Sequence, residues 1–242
     1  MRRLSVIGGD PQSRGREHAP SLCARGDQGR ADPLTTILVI DTSLGVCQAA
    51  VFDGHLALAT RRETMTRGHQ ERLAPMVAEL MAEAARPFAG LDRIAVTIGP
   101  GSFTGVRVGL AFAKGLSVAL GRACIGVSTL QALAASHPGE SRRAAVIDGG
   151  RSLYVQVFDG ATPRSAPEAP SAEEARRRIE ANGPVALLIG PHAQALATQL
   201  PGAETIDLAA PMPAAVAALS DLPQIQGLQP LYLRAPDARA RR

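Results

Sequence analysis

"TTILVIDTSLGVCQAAVFDG" occupies residues 35–54, and its logic returns as "RAAVIDGGRSLYVQVFDG" at residues 143–160. Each copy holds an apolar run, an aspartate followed by small residues (Asp41, Asp148), a second apolar run and a closing Phe-Asp-Gly. Apolar runs of this length bounded by turn residues read as buried strands, and Asp-Gly between strand-like runs marks a hairpin. The repeat predicts an α/β chain of two related lobes, each opening with strand, Asp turn and strand.

Working outward, Leu56 to Arg61 extends the first hairpin as a third strand. Apolar residues at Leu73, Met76, Val77, Leu80, Met81 and Ala84 predict a helix over Gln70–Ala85, with Pro75 near its first turn. Ile94 to Ile98 is a further buried strand. It runs into "GPGSFTG" at 99–105 and a helix over Thr104–Leu120 that Gly121 closes. A strand and helix follow in "CIGVSTLQALAA" (124–135), then a helix capped by Ser171, a strand and helix in 184–200, and an extended end at 227–235. This divides the chain into a disordered extension (1–33), a first lobe (34–135), a second lobe whose C-terminal segment packs back toward the first (136–235), and a basic tail (236–242).

Composition narrows the functions. Hydrophobic residues make up 45% of 242 but aromatics only 3%, so Ala, Val, Leu and Ile build the core and base-stacking platforms are not expected. The net charge of +4 sits in the ends: residues 1–32 carry six Arg against four acids and 234–242 four Arg against one, leaving a nearly neutral body. Such tails are solvated, or make a weak electrostatic contact with RNA. Cys23, Cys47 and Cys124 are odd in number and far apart, which argues against a disulfide framework or a zinc site and fits a reducing, cytoplasmic setting. No transmembrane helix is expected.

A Gly-rich turn feeding a helix N-terminus is a ready holder of phosphate. The block at 99–105 therefore poses two readings: a phosphate loop, or glycines that allow tight packing of strand and helix. Asp41 is likewise either a turn residue bonded to its own backbone or a phosphate-site acid. His69 reads as an exposed helix-start residue. Lys114, the only lysine, either snorkels at the surface or reaches a partner's carboxylate. The two helices after residue 69 carry broad apolar faces, which suggests burial on two sides and hence a helix-pair interface. Acidic substitution of Leu73 or Met76 is then expected to break docking and spare the fold.

Two lobes with paired Asp turns resemble the actin-like ATPase (ribonuclease H-like) fold of actin, sugar kinases and Hsp70, each lobe a mixed sheet with flanking helices. Within it the chain resembles the bacterial TsaB (YeaZ) family over about 36–235. The matching residues are Ile40-Asp41-Thr42-Ser43, Gln70-Glu71-Arg72-Leu73 with Pro75-Met76, Gly99 to Gly105 with Arg107 and Gly109, Lys114-Gly115-Leu116, Gly126 to Leu130, and Pro230 to Arg234. The second-lobe segment "DGGRSLYVQ" departs from the family by lacking an acid before Tyr154. The resemblance implies a non-catalytic subunit that docks to a TsaD-like catalytic subunit. That subunit transfers threonylcarbamoyl to adenosine 37 of ANN-decoding tRNAs (t6A). A TsaE-like ATPase is a further implied partner, with a homodimer when alone, tRNA only through the complex, and no membrane. It further implies no metal, and ATP or ADP only at the complex interface. A vestigial, weak nucleotide site then falls on Asp41, Thr42, Ser43, Gly99, Gly101, Ser102, Thr104 and Asp148. The partner interface falls on Gln70, Leu73, Met76, Val77, Leu80, Phe103, Arg107 and Lys114. Catalytic relatives of TsaD type hold metal through two His four residues apart, whereas here His69 is followed at that distance by Leu73 and His192 by Leu196. The alternative is a small-molecule kinase or metalloprotease-like enzyme of the same superfamily.

Overall fold

The computed structural model describes residues 35–221 and 228–233. The expectations for residues 1–33, Arg234 and the tail at 236–242 lie outside the described residues.

In the first lobe β1 (Thr36–Asp41), β2 (Val46–Asp53) and β3 (Leu56–Thr64) form a meander. Then come α1 (His69–Glu83), β4 (Arg93–Thr97), α2 (Phe103–Leu120), β5 (Ala123–Val127) and α3 (Thr129–Ala135). The second lobe holds β6 (Arg142–Asp148), β7 (Leu153–Asp159), β8 (Thr162–Pro163), α4 (Ala172–Glu180), β9 (Leu187–Ile189), α5 (Ala193–Ala197) and β10 (Glu204–Ile206), followed by α6 (Pro213–Leu219).

The duplication is visible in the sheets. The first is ordered β3-β2-β1-β4-β5 and the second, read from its other edge, β8-β7-β6-β9-β10. In each, the opening hairpin is antiparallel, pairing Thr36 with Asp53 or Arg142 with Asp159, and the later strands join in parallel. β1 is buried along its whole length, and so is β2 as far as Phe52, because helices cover both faces of the first sheet.

Two helices exchange sides relative to chain order. α3 follows the first sheet, yet Leu130, Leu133 and Ala134 pack with Ala145, Ile147 and Phe158 of the second. α6 follows the second sheet, yet Val216, Ala217 and Leu219 pack on Ile37, Val39 and Phe52 of the first. Arg143 fastens this junction. It is fully buried, and its guanidinium donates to the carbonyl oxygens of Ala134, His137 and Gly139 at the end of α3. Burial pulls its pKa below the usual arginine value, while the carbonyls at a helix C-terminus favour a cation.

α2 differs from its expectation in one respect. Its 18 residues are long and apolar enough to cross a bilayer by length and composition alone. Its inner face, Gly105, Val106, Gly109, Leu110 and Ala113, nevertheless lies on its own sheet.

Candidate functional site

The turn after β1 is a sealed polar hub. Asp41 has no exposed surface. Its Oδ1 accepts from the Ser43 amide (2.9 Å), the Ser43 hydroxyl (2.6 Å) and the Thr97 hydroxyl (2.6 Å), and its Oδ2 accepts from Gln48 Nε2 at 2.8 Å. Gln48 also donates to the Pro211 carbonyl at 2.8 Å, which ties the hub to the entry of α6. A buried carboxylate with four donors is a structural anchor, since an unpaired one would be strongly disfavoured.

The Gly-rich block closes over this hub. The Ser102 amide donates to Ser43 O at 2.7 Å, Thr42 Oγ1 donates to Gly105 O at 2.7 Å, and the Ser102 hydroxyl caps α2 by accepting from the Gly105 amide at 3.2 Å. A Cβ on Gly101 would overlap the Ser43 carbonyl oxygen, and one on Gly105 would overlap that of Thr42. Of the two readings of the block, the packing one accounts for these contacts: glycines let the first hairpin turn touch the start of α2. Asp41, Thr42 and Ser43 are buried beneath it, and Asp41 adopts the first of its two readings, a turn residue bonded within its own turn.

A cleft of about 1030 Å³ lies between the lobes. Gly101, Ser102, Phe103, Val106 and His69 line it from the first lobe, and Ile147, Asp148, Gly149, Tyr154 and His192 from the second. Asp148 keeps its place at the cleft, but its Oδ1 accepts from the Gly150 amide at 2.6 Å and its Oδ2 stands 3.4 Å from His192 Nε2. Asp41 and Asp148, matched in sequence, are thus not matched in environment: one is sealed and the other half-exposed. Gly99 is buried behind the loop and Thr104 is exposed at the outer start of α2, so neither joins Asp148 in the cleft lining. His69 is buried rather than exposed, with Nε2 3.2 Å from Val46 O.

The expected interface residues separate into two groups. Leu73, Met76, Val77 and Leu80 are between 0% and 1% exposed and form the core with Leu38, Ile40 and Val96. They offer no surface to a partner, which corrects their place in the interface, and an acidic side chain at Leu73 or Met76 is instead expected to destabilise the fold. Gln70, Phe103, Arg107 and Lys114 do reach the surface. The reason lies in the wrapping of α1, whose apolar stripe is consumed by its own sheet, while Arg72 clamps Glu63 of β3 and Glu79. On α2 the opposite holds: Ala111, Gly115 and Val118 point outward, with Val118 84% exposed.

Comparison with known proteins agrees with this architecture. Residues 61–217 match the family described as TsaD, tRNA N6-adenosine threonylcarbamoyltransferase. The chain belongs to the TsaD family. Within it the chain is TsaB/YeaZ-like. It is 26% identical to YeaZ from Pseudomonas aeruginosa, whose structure superposes with a TM-score of 0.66 over 82% of this chain and 100% of that one. An uncharacterised Mycobacterium tuberculosis protein is 33% identical over 85% of this chain and 95% of its own length. The tRNA threonylcarbamoyladenosine biosynthesis protein TsaB of Escherichia coli is 37% identical over 98 residues, 40% of this chain and 42% of that protein.

In this TsaB/YeaZ-like chain, sequence reasoning missed a cluster at the cleft mouth. Arg107 stacks 3.6 Å above the Phe103 ring and donates from Nε to the Tyr232 hydroxyl at 2.6 Å, while the Phe103 and Tyr232 rings lie 5.4 Å apart. Two of the few aromatics meet here across 129 positions of chain. The signal was present in the resemblance, which included Phe103, Arg107 and Tyr232, but only the fold brings them into contact.

Proposed function

We propose that this chain is a docking subunit for a TsaD-type catalytic subunit in the formation of threonylcarbamoyladenosine on tRNA, and that it carries out no transfer chemistry itself. The names of its relatives support the pathway: one is a threonylcarbamoyladenosine biosynthesis protein and the matching family is the threonylcarbamoyltransferase. The observation that carries the docking reading is the outward face of α2. Ala111, Gly115 and Val118 leave an apolar strip on a helix already seated on its sheet, bordered by Arg107 and Lys114. Exposed apolar strips mark interaction sites, and small residues permit close approach of a second helix. The sealed Asp41 hub and the engaged Ser102 amide support a supporting role over phosphoryl transfer. Nucleotide at the junction of the two subunits, a TsaE-like ATPase and a homodimer of the free chain belong to the same reading.

The test is copurification with the TsaD-type subunit of the same organism. Val118→Glu and Ala111→Glu are expected to abolish capture while the thermal unfolding midpoint stays near that of the parent chain, because surface changes shift stability by only about 0.5 kcal/mol. Normal capture of both variants would overturn the docking reading.

A further inference from the structure

The segment Leu231-Tyr232-Leu233 touches three different parts of the molecule with three consecutive residues. The Leu231 amide donates to Ile98 O at 2.8 Å, and its side chain packs, with Leu228, against the first-lobe core. Leu233 packs against the core that contains Ile147, Phe158 and Ile189 of the second lobe. Between them Tyr232 turns out over the start of α2, where the Arg107 guanidinium holds its hydroxyl and lies 5.6 Å from its ring centre. All three residues line the interlobe cleft.

The geometry points to a strap. Leu231–Leu233 bridges the lobes across the cleft, Arg107 latches it to α2, and release of the latch opens the cleft. The anchors at either end are apolar contacts and one backbone bond, whereas the latch is a hydrogen bond from a charged donor that is itself stacked on Phe103. Because Phe103 and Arg107 lie on the exposed start of α2, a partner seated on that helix excludes water from the latch and holds the cleft closed. By linkage, a closed cleft then favours docking. This second limb rests on the docking reading above; the latch itself does not.

Hydrogen exchange read by mass spectrometry on the full chain tests both limbs. Arg107→Ala is expected to speed exchange in the peptide covering 228–233 by about tenfold, with a smaller rise for Tyr232→Phe, which keeps the ring and loses the oxygen. Amides at 147–154 across the cleft are expected to quicken with it, and the remainder of the first sheet to stay unchanged. Unchanged exchange at 228–233 in Arg107→Ala would overturn the latch. Addition of the TsaD-type subunit to the parent chain is expected to slow exchange at 228–233. Exchange that is unchanged or faster, with α2 protected by docking, would overturn the coupling. Absence of any protection on α2 would instead remove the docking reading and the coupling with it, with the latch decided by the variants alone.

Discussion

A Cβ placed on Gly101 would run into the carbonyl oxygen of Ser43, whereas one placed on Gly115 meets nothing within 4 Å. The two glycines sit in one Gly-rich stretch of sequence and answer to opposite demands. Gly101→Ala forces the first hairpin turn away from α2 and is expected to destabilise the chain by about 1–3 kcal/mol, as overpacking does. Gly115→Ala, in an open position of a helix, is expected to stabilise it by roughly 0.5–1 kcal/mol. Urea unfolding of the two variants checks both signs; equal effects would mean that the loop is not held against the hub. The Asp41 environment fits the same account, since its carboxylate organises Ser43, Gln48 and Thr97 around the turn that the loop covers.

At the scale of elements, α1 and α2 lie on one face of the first sheet and divide the work differently. Leu73, Met76, Val77, Leu80 and Met81 turn α1 inward, and its ion pairs, Arg72 to Glu63 and Glu83 to Arg61, fasten it to β3. Pro75 falls in its second turn rather than near the first, so the Glu71 carbonyl has no helical donor there, while the proline ring lies on the exposed side. Leu80→Ala is expected to cost about 2–5 kcal/mol through lost burial and the cavity left behind. Its thermal unfolding midpoint should drop well below that of Val118→Glu, which changes only the exposed face of α2. A Leu80→Ala chain as stable as the parent would place that stripe outside the core. The apolar periodicity of α1 showed that one side is buried; it could not show whether the cover is this chain or another.

For the whole molecule, the ionisable groups set an acid limit and an alkaline limit to stability. Hydrogen bonds from Arg72 hold the Glu63 and Glu79 carboxyls below their usual value of 4.5, and those from Arg142 and then Arg164 do the same for Asp159 below 3.8. The folded chain therefore binds fewer protons than the unfolded one in acid. The stabilisation is present above pH 4.5 and is lost as pH falls through the depressed values. At the alkaline end, burial pushes the Cys47 and Cys124 thiols from 9.0 up to about 11. The folded state keeps those protons when the unfolded state has lost them, so stability falls as pH rises from 9 toward 11. Unfolding midpoints measured across pH are expected to decline below the acid limit and above the alkaline one. Glu63→Gln should reduce the acid decline and Cys124→Ser the alkaline one. Declines left intact in those variants would assign them to other groups.

The sequence by itself determined the two lobes. Buried strands, Asp turns and Phe-Asp-Gly closures are short-range patterns, and the repeat at 35–54 and 143–160 shows that one topology is used twice. It also placed α2 after a Gly-rich turn and brought Phe103, Arg107 and Tyr232 into view. Only the tertiary structure decided what those patterns face. Whether Asp41 meets a phosphate or its own turn depends on Gln48, Thr97 and the entry of α6 converging on one carboxylate, and whether an apolar stripe is core or interface depends on how far its own sheet extends. These are contacts between segments distant in the chain, and local spacing holds no record of which surfaces the folded backbone finally covers.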